Sequence, residues 1–492
     1  MSGKTHTEHK RIQALLQAME QGKAQFDEIM ENLEKPGPET EAATEAGAAA
    51  GEWPAFAAEE IYDPRMDETY VPGSDGEQMD LFSMPGSALL RDAEVAEAET
   101  MNRIAAGDNL AYMIWLLRER ELAGKIQMIY VDPPFFTNAK YQSSVQISGA
   151  GGKKSPVLKV GAYEDTWGHD LERYLEMLAV RFYVMRELLA ETGSLWVHLD
   201  WHGSHYVKMM LDEIFGAEHF VNEVAWTYKS GGASKHSFSR KHDTLLFYSK
   251  TDHYKFNPLQ EKSYNREGKP YRFKGVEEFQ DEHGWYTMVN MKDVWNIDMV
   301  GRTSSERKGY ATQKPEKLLE RIVDACSDEG DLCADFFAGT GTLGAVCSRK
   351  GRPWILCDTG DAAIGSQILR MAELEVPFLV ERPVSTKEDG PRTSIQLSYA
   401  DGRIQLERYQ PDLTQVQERD REIVTEYIND NSLDLISFWS VDAEYDGRVH
   451  IGDLLLSGED TAVLKDEAGS TAVSVVGYDL FGGRFEWISK ER

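Results

Sequence analysis

The chain has few cysteines, no long apolar stretch, and too few basic residues to balance its acidic ones. Its cysteines form no Cys-x-x-Cys pair and have no histidine at metal-ligand spacing; they are Cys326, Cys333, Cys347 and Cys357. The sequence therefore predicts reduced, buried thiols and no disulfide framework. We expect no metal site, although His198, His202 and His205 cluster at a predicted strand end. No signal peptide or membrane-spanning run is recognised, which predicts a cytoplasmic location.

Charge is unevenly distributed along the chain. It carries 83 Asp and Glu residues against 53 Lys and Arg residues, and most of the acidic excess lies at the two ends. Residues 229–274 are different, because they carry 11 basic and 4 acidic residues interleaved with Tyr and Phe. Such a pattern suits phosphate contact and base stacking. An exposed loop with a hydrophobic underside remains the alternative.

Residues 126–136, IQMIYVDPPFF, predict a buried strand that ends at a ligand site. The nearly continuous apolar run suits a parallel strand covered on both faces, and Asp132 falls at its carboxyl end, where α/β sheets bind ligands. Pro133 and Pro134 stiffen the backbone and leave carbonyl acceptors, and Phe135 supplies a flat ring. These groups suit a planar ligand that carries an NH2 group. An ordinary strand exit with core aromatics is the alternative.

Residues 331–360 predict a site for a nucleoside-bearing cofactor. A strand from Leu332 to Phe337 runs into the turn Gly339-Thr-Gly341-Thr342 and a helix, and a second strand ends in Asp358. Glycines allow close backbone approach, the helix N-terminus offers N–H groups, and the terminal acid suits a ribose. The glycine spacing matches neither a phosphate-binding P-loop nor the usual dinucleotide fingerprint. Upstream, residues 310–327 have a helical apolar pattern with Pro315 near its start.

Three motifs occur in a characteristic order. The segments DPPF, TQKPEKLLERI and DFFAGTGT, in that order, resemble the beta class of DNA amino-methyltransferases, in which the catalytic motif precedes the cofactor motif. Intervening segments such as GSLWVHLDWHGSHYVKMMLDEIFG, and ISFWSVDAEYDG near the end, resemble modification subunits of type III restriction systems. The resemblance covers roughly residues 100–490. It implies an α/β, Rossmann-like, S-adenosylmethionine-dependent methyltransferase fold with circularly permuted motif order.

The resemblance also implies roles for individual residues. Asp132 and the Pro133 carbonyl would accept hydrogen bonds from the target amine, within a catalytic motif that includes Pro134 and Phe135. Phe135 would stack on the base, with Tyr228 or Trp226 helping. The cofactor S-adenosylmethionine would be bound by Asp108, Gln313, Lys314, Pro315, Asp335, Phe336, Ala338, Gly339, Gly341, Thr342 and Asp358. DNA contacts are expected at Lys229, Lys235, Arg240 and Lys241. An acid before Pro-Pro favours adenine N6 as the target over cytosine N4.

The chain divides into six expected regions. Residues 1–35 predict an amphipathic helix, because Ile12, Met19, Phe26 and Leu33 recur every seven residues; Gly22 leaves open whether the helix forms a coiled coil or docks on its own chain. Residues 36–100 predict an acidic, largely disordered linker. The expected regions that follow are a catalytic half (101–228), a target-recognition insertion (229–312), a cofactor-binding half (313–383) and a C-terminal α+β domain (384–492).

The linker contains a short candidate interaction peptide. Its residues Gln78, Met79, Asp80, Leu81 and Phe82 resemble the peptide by which bacterial proteins bind the replication sliding clamp. A stretch that packs on the methyltransferase core is the alternative. Other partners that the resemblance implies are double-stranded DNA, a second copy of the chain, and a restriction, helicase or other defence subunit. The expected cell is bacterial or archaeal, with the protein near the nucleoid. Cytosine-N4 methylation, an idle DNA-binding subunit and an RNA substrate remain alternative functions.

Overall fold

The structure is a computed structural model. It describes residues 2–34, 64–70, 102–147, 156–168, 170–231, 235–301, 304, 306–307, 313–383, 393–447, 449–452, 454–464 and 472–489.

Helices and strands alternate through the middle of the chain. The helices are α1 (Ser2–Glu34), α2 (Asn109–Arg118), α3 (Leu171–Leu188), α4 (Ser204–Phe215), α5 (Glu316–Cys326), α6 (Thr342–Arg349), α7 (Asp361–Glu373) and α8 (Arg421–Asn431). The strands are β1 (Pro64–Tyr70), β2 (Asn102–Ala106), β3 (Ile126–Val131), β4 (Lys140–Gln146), β5 (Val157–Glu164), β6 (Leu189–Leu199), β7 (Phe220–Thr227), β8 (His242–Ser249), β9 (Gln260–Tyr264), β10 (Phe279–Asp281), β11 (Gly284–Asn290), β12 (Val294–Asn296), β13 (Cys333–Asp335), β14 (Trp354–Asp358), β15 (Phe378–Pro383), β16 (Ser394–Ala400), β17 (Arg403–Gln410), β18 (Ile436–Tyr445), β19 (His450–Gly452), β20 (Leu454–Leu456), β21 (Thr461–Val463), β22 (Ala472–Asp479) and β23 (Arg484–Ile488).

An eleven-stranded sheet forms the centre of the protein. Its order is β12-β7-β8-β6-β3-β13-β14-β2-β15-β1-β19, and the six strands from β6 to β15 run parallel. One hydrophobic core contains residues of α2, α3 and α4, and a second contains residues of α5, α6 and α7. The expected Rossmann-like α/β fold is therefore confirmed.

The strand with the glycine motif lies beside the strand that leads to Asp132. β13 pairs in parallel with β3 on one side and with β14 on the other, although it comes much later in the chain than β3. This is the permuted arrangement that the motif order predicts. All six residues of β3 are buried, as the continuous apolar run requires. β13 is shorter than the predicted strand, because the chain leaves the sheet after Asp335 and enters the glycine turn.

The long N-terminal helix docks on the chain's own body. Gly22 lies against α3 so closely that a Cβ placed there would be 2.6 Å from the Ala179 Cβ. The Phe26 ring stacks on Tyr183 with 5.1 Å between centroids. Gly22 therefore permits the close approach, and of the two alternatives for this helix the structure shows docking on the chain itself.

Residues 64–70 correct the expected linker. They form β1, which pairs antiparallel with β15 and parallel with β19. A disordered linker is therefore the wrong prediction for this stretch, which has a strand partner on each side. The sliding-clamp peptide, with Gln78, Met79, Asp80, Leu81 and Phe82, lies outside the described residues.

The expected insertion is smaller than residues 229–312. β8 lies in the main sheet between β7 and β6, and β12 pairs with β7. Only β9, β10 and β11 form a separate three-stranded sheet. Residues 245–248 form a continuous apolar run that is buried in the sheet, although basic residues flank it in the sequence.

The C-terminal region contains two small sheets and α8. Their orders are β16-β17-β21 and β20-β18-β22-β23. They share a hydrophobic core with the β4–β5 hairpin, whose Ile147, Leu158 and Val160 are buried there. All four cysteines are buried and free, as predicted. Among the described residues, no helix is long and apolar enough to cross a membrane.

A buried carboxylate joins the main sheet to the C-terminal region. Glu68 in β1 is fully buried and accepts hydrogen bonds from Tyr70, Tyr478 and the Arg484 guanidinium, each at 2.7 Å. Burial alone would raise the pKa of Glu68, but the charges of Arg484 and Arg382 and the hydrogen bonds outweigh it and lower the pKa from 4.5 to about 2. The folded state therefore strongly favours the ionised form.

We predict that Glu68→Gln lowers the free energy of unfolding at pH 7 by roughly 3 kcal/mol, the value of a pKa shift of this size. Because the folded pKa is depressed, the wild-type contribution is present above pH 4.5 and is lost as the pH falls towards 2. Urea unfolding at several pH values measures this. Glu486→Gln is the matched control, since Glu486 pairs with the same Arg484 near the surface and should change stability by less than about 1 kcal/mol. Equal losses in the two variants would contradict the assignment.

Candidate active site

Four carboxylates meet at one edge of the sheet. Asp132 follows β3, Asp335 ends β13, Asp358 ends β14 and Asp108 follows β2. These strands are adjacent and parallel, so their carboxyl ends lie side by side. The sheet topology thereby brings together the acids that the sequence motifs separate.

A cavity of about 470 Å³ lies over this edge. Its volume falls in the range of small-molecule sites. Eleven residues of the predicted site line it: Asp108, Asp132, Pro134, Gln313, Lys314, Asp335, Phe336, Ala338, Gly339, Thr342 and Asp358. Gly341 and Pro315 do not line the cavity; each caps the start of a helix beside it, α6 and α5 respectively.

The glycine turn wraps around Asp358. The Gly339 N–H donates to Asp358 Oδ2 at 2.8 Å, and the Gly360 N–H donates to Oδ1 at 2.9 Å. Gly341 has φ of +72°, and a Cβ there would come within 3.1 Å of Gln367 and Leu356. Glycine is therefore required at 341 for both conformation and space. The turn leaves backbone groups close to the cavity.

Two carboxyl groups of the cavity, Asp335 and Asp358, have raised pKa values. Burial raises the pKa of Asp335 well above its usual range, and the charges of Asp132 and Asp358 add to this, against a hydrogen bond from the Phe337 N–H at 2.9 Å. Burial also raises the pKa of Asp358, despite its backbone N–H donors. The protonated forms are thus favoured relative to a carboxylate in water, and hydroxyl or amine donors of a ligand suit these oxygens.

Arg181 of α3 orients the start of α2. Its guanidinium contacts Asp108 Oδ2 at 2.8 Å and donates to Asn109 Oδ1 at 2.6 Å. Asp108 also caps α2 by accepting from the Ala111 N–H at 3.0 Å. Asn109 donates to the Phe336 carbonyl at 2.7 Å, which ties this corner to the glycine motif.

The Asp132 carboxylate has one paired and one unpaired oxygen. Oδ2 forms an ion pair with the Lys314 ammonium, which also lies 5.3 Å from the centroid of the Phe135 ring. Oδ1 is buried and has no hydrogen-bond partner among the described residues. A buried oxygen without a donor is costly, so this atom is an acceptor ready for a ligand N–H.

Asp165 holds the loop that follows β3. Its buried carboxylate accepts from the backbone N–H groups of Phe136 at 3.2 Å and Thr137 at 2.6 Å. Phe136 has φ of +64°, an uncommon conformation that these bonds maintain. Tyr174 donates to the Pro134 carbonyl at 2.8 Å.

His198 supports the Phe135 ring from behind. The two rings stack with 5.9 Å between centroids and 28° between planes. His198 is fully buried, with Nδ1 2.8 Å from the Tyr130 hydroxyl and Nε2 3.4 Å from Asp243 Oδ2. Asp243 also accepts from the Tyr228 hydroxyl at 3.0 Å. The network connects the rings of Phe135 and Tyr228.

This network shifts the pKa values of Asp243 and Tyr228 in opposite directions. Burial would raise the pKa of Asp243, but the hydrogen bond and charge of His198, with Lys314 and Tyr228, lower it overall. Burial and the Asp243 charge raise the pKa of Tyr228, which stays protonated and donating. Tyr228 is partly exposed, so its ring can still meet a ligand.

One predicted stacking residue lies in the core, and one predicted DNA contact is engaged within its own loop. Trp226 is only 2% exposed, donates to the Ile297 carbonyl at 2.8 Å and packs edge-on against His198. Its ring is therefore core and cannot stack on a base. All three donors of the Lys241 ammonium are used within its own loop, by Ser230 Oγ and by the Ser230 and Gly231 carbonyls. Lys241 therefore stabilises this loop, and its contact with DNA stays a prediction.

The other basic candidates remain at the surface. The Lys229 ammonium lies 3.7 Å from an oxygen of Asp298, with both side chains largely exposed. Lys235 is exposed, and the Arg240 guanidinium lies over the Trp201 ring. Their contact with DNA stays a prediction.

Sequence reasoning missed the residues that support the site. Tyr174, Arg181, His198 and Asp243 contact predicted residues, and Asp165 holds the residues that follow Phe135, but none of the five belongs to a motif with an obvious chemical role. The available signal was position: His198 lies near the carboxyl end of a strand, beside the catalytic strand. Among the described residues, no group of three His, Cys, Asp or Glu side chains is arranged to hold a metal ion.

The chain is similar to known DNA methyltransferases. The family profile described as "DNA methylase", for N6- and N4-methyltransferases, matches residues 126–367. The type II methyltransferase M2.DpnII of Streptococcus pneumoniae is 30% identical over 246 residues, which is 47% of this chain and 77% of that protein. M2.LlaDCHI of Lactococcus lactis subsp. cremoris is 29% identical over 252 residues, or 49% and 81%. The solved PvuII DNA methyltransferase (cytosine-N4-specific) has 17% identity and a TM-score of 0.38 over 55% of this chain and 86% of that one.

The parallel sheet, the glycine turn and the acid-lined cavity suit the nucleoside-bearing cofactor of a methyltransferase. The chain belongs to the N6/N4 DNA methylase family and is a DNA methyltransferase. The curated relatives named above are type II enzymes, so the resemblance to type III modification subunits stays a prediction.

We predict that Arg181→Met weakens S-adenosylmethionine binding about tenfold, because Asp108 and Asn109 lose a charge-assisted hydrogen bond that orients them. Calorimetric titration of the purified protein with the cofactor measures this. Arg173→Met is the control, since it removes the same charge from an exposed site on α3. Unchanged affinity in Arg181→Met would show that this corner of the cavity does not contact the cofactor.

Proposed function

We propose that the protein transfers a methyl group from S-adenosylmethionine to the N6 amine of adenine in DNA. The observation that carries the proposal is Asp132 Oδ1, a buried acceptor that no described residue engages and that belongs to a residue lining the cofactor cavity. An exocyclic amine provides the N–H that this oxygen needs.

The Asp132 carboxylate is held in a fixed orientation. Lys314 binds Oδ2, and Asp165 and Tyr174 restrain the loop, so Oδ1 and the Pro133 carbonyl can accept the two amine hydrogens. With both hydrogens engaged, the nitrogen lone pair turns out of the base plane. The residues thus act by orientation and electrostatics, with no covalent enzyme intermediate.

The cavity residues fit the cofactor. When bound, S-adenosylmethionine supplies an electrophilic methyl group on a positively charged sulfur. The carboxylates at this edge of the sheet suit that charge, Asp358 suits ribose hydroxyls, and Asp108 lies where the resemblance places the adenine. The backbone at Gly339, together with Asp335 and Phe336, would hold the methionine end.

The target base would lie between Phe135 and Tyr228. Phe135 is supported by His198, and Tyr228 is fixed by Asp243, so both rings are oriented before binding. In duplex DNA the amine is paired within the stack, and the base must be extruded at a cost of a few kcal/mol. Lys229, Lys235 and Arg240 would contact phosphates near this opening.

Cytosine-N4 methylation is the second candidate, because the same acceptors suit the cytosine amine and the family contains both activities. The acid before Pro-Pro favours adenine. The similarity to type II methyltransferases supports a role in restriction-modification. A second copy, a restriction or helicase subunit, and the sliding clamp stay expectations, as do an idle subunit and an RNA substrate.

The test is mass spectrometry of nucleosides from unmethylated genomic DNA incubated with the protein and S-adenosylmethionine. We expect N6-methyladenine with the wild type. Asp132→Asn keeps the shape of the side chain but replaces one acceptor oxygen with a donor, and it should lower the rate by at least about a hundredfold. N4-methylcytosine would change the target base, and unaltered activity in Asp132→Asn would remove Asp132 from the mechanism.

A further inference from the structure

Trp201 presents a large, exposed aromatic ring immediately after β6. Its side chain is 46% exposed, although the strand before it is buried. The Arg240 guanidinium lies 3.9 Å from its ring centroid, and the His202 ring is 3.7 Å away. A half-exposed tryptophan that packs against His202 and a surface arginine is not part of the core.

The turn that carries Trp201 is rigid. His202 donates its backbone N–H to Asp200 Oδ1 at 2.8 Å, and its Nδ1 lies 2.7 Å from Asp200 Oδ2. Gly203 follows at a close contact, since a Cβ there would be 2.9 Å from the Tyr174 hydroxyl. These contacts fix the backbone of the turn, and the rings of His202 and Trp201 lie against each other on it.

This turn adjoins the slot proposed for the target base. β6 is the parallel neighbour of β3, so Asp200 and Asp132 follow adjacent strand ends. The Phe135 carbonyl would lie 3.7 Å from a Cβ at Gly203. The charge of Asp200 also contributes to the raised pKa of Tyr228, which places that carboxylate near the other wall of the slot.

Arg240 belongs to the basic segment between β7 and β8. A guanidinium over an exposed ring forms a weak cation–π contact, whereas a nucleobase stacked on an aromatic ring is a stronger and sequence-tolerant contact. A phosphate is also a better partner for arginine than an indole face in water. Exchange of arginine for a base would therefore improve both contacts.

We propose that Trp201 is a stacking platform for an unpaired DNA base at the entrance of the slot, and that Arg240 moves from the indole to a phosphate when DNA binds. The inference rests on the proposed function, which supplies the need for an extruded base. It adds a residue outside the catalytic and cofactor motifs.

The test uses a fluorescein-labelled, mixed-sequence single strand of DNA and fluorescence anisotropy. Trp201→Ala should weaken binding about tenfold, and Trp201→Phe, which keeps a ring, should stay within about threefold of the wild type. Ile488→Ala is the control, because it removes an exposed apolar side chain from the C-terminal β23. Calorimetric titration with S-adenosylmethionine should give wild-type affinity for all three variants, which shows that the fold is intact.

Arg240→Gln tests the second half of the proposal. If Arg240 contacts a phosphate in the complex, the slope of log affinity against log salt should fall by about one for this variant. An unchanged slope would overturn the movement of Arg240. Wild-type affinity in Trp201→Ala, with cofactor binding intact, would overturn the platform.

Failure of the proposed function and failure of the stacking platform would give different results. In that case the wild type would form no methylated base with S-adenosylmethionine. If the wild type methylates DNA while Trp201→Ala has the same KM for DNA and the same kcat, only the platform is wrong. A tenfold higher KM with unchanged cofactor affinity supports it.

Discussion

The close approach of four carboxylates at one sheet edge is the constraint on which the rest of the site depends. Parallel pairing of β2, β14, β13 and β3 makes this approach unavoidable, and the repulsion must be offset locally. Backbone N–H groups bind Asp358 and Asp335, Arg181 binds Asp108, and Lys314 binds Asp132. The glycine turn, the buried arginine on α3 and the lysine before α5 therefore each offset the repulsion between these carboxylates.

Much of this arrangement could be predicted from the sequence. The apolar run before Asp132, the glycine turn and the terminal acid Asp358 each carry a local signal, and parallel strands place such ends together. The helix from Glu316 is equally local, because its apolar period and the preceding proline mark it. Residues whose role comes from strand ends or turns were therefore found in the cavity.

What could not be predicted depends on tertiary contacts. Trp226 and Tyr228 lie two residues apart at the end of β7 with their rings in contact, and β12 packs beside Trp226, whose ring is buried. β1 lies in an acidic, low-complexity region, and its strand character comes from Glu68 and its partners on β22 and β23. His198 and Asp243 come together because β8 enters the sheet next to β6, which no local pattern indicates.

The position of β13 between β3 and β14 also affects the order in which the site can be assembled. A growing chain presents Asp132 long before the ribosome has made the strand that forms the other side of the cavity. Pairing across so great a sequence separation is slow, because loop closure precedes any gain from contacts. Until the second half arrives, a nascent chain bears a catalytic loop without a cofactor pocket. In the permuted topology, the Asp132 loop and the other side of the cavity therefore come together only after nearly the whole sheet has been synthesised.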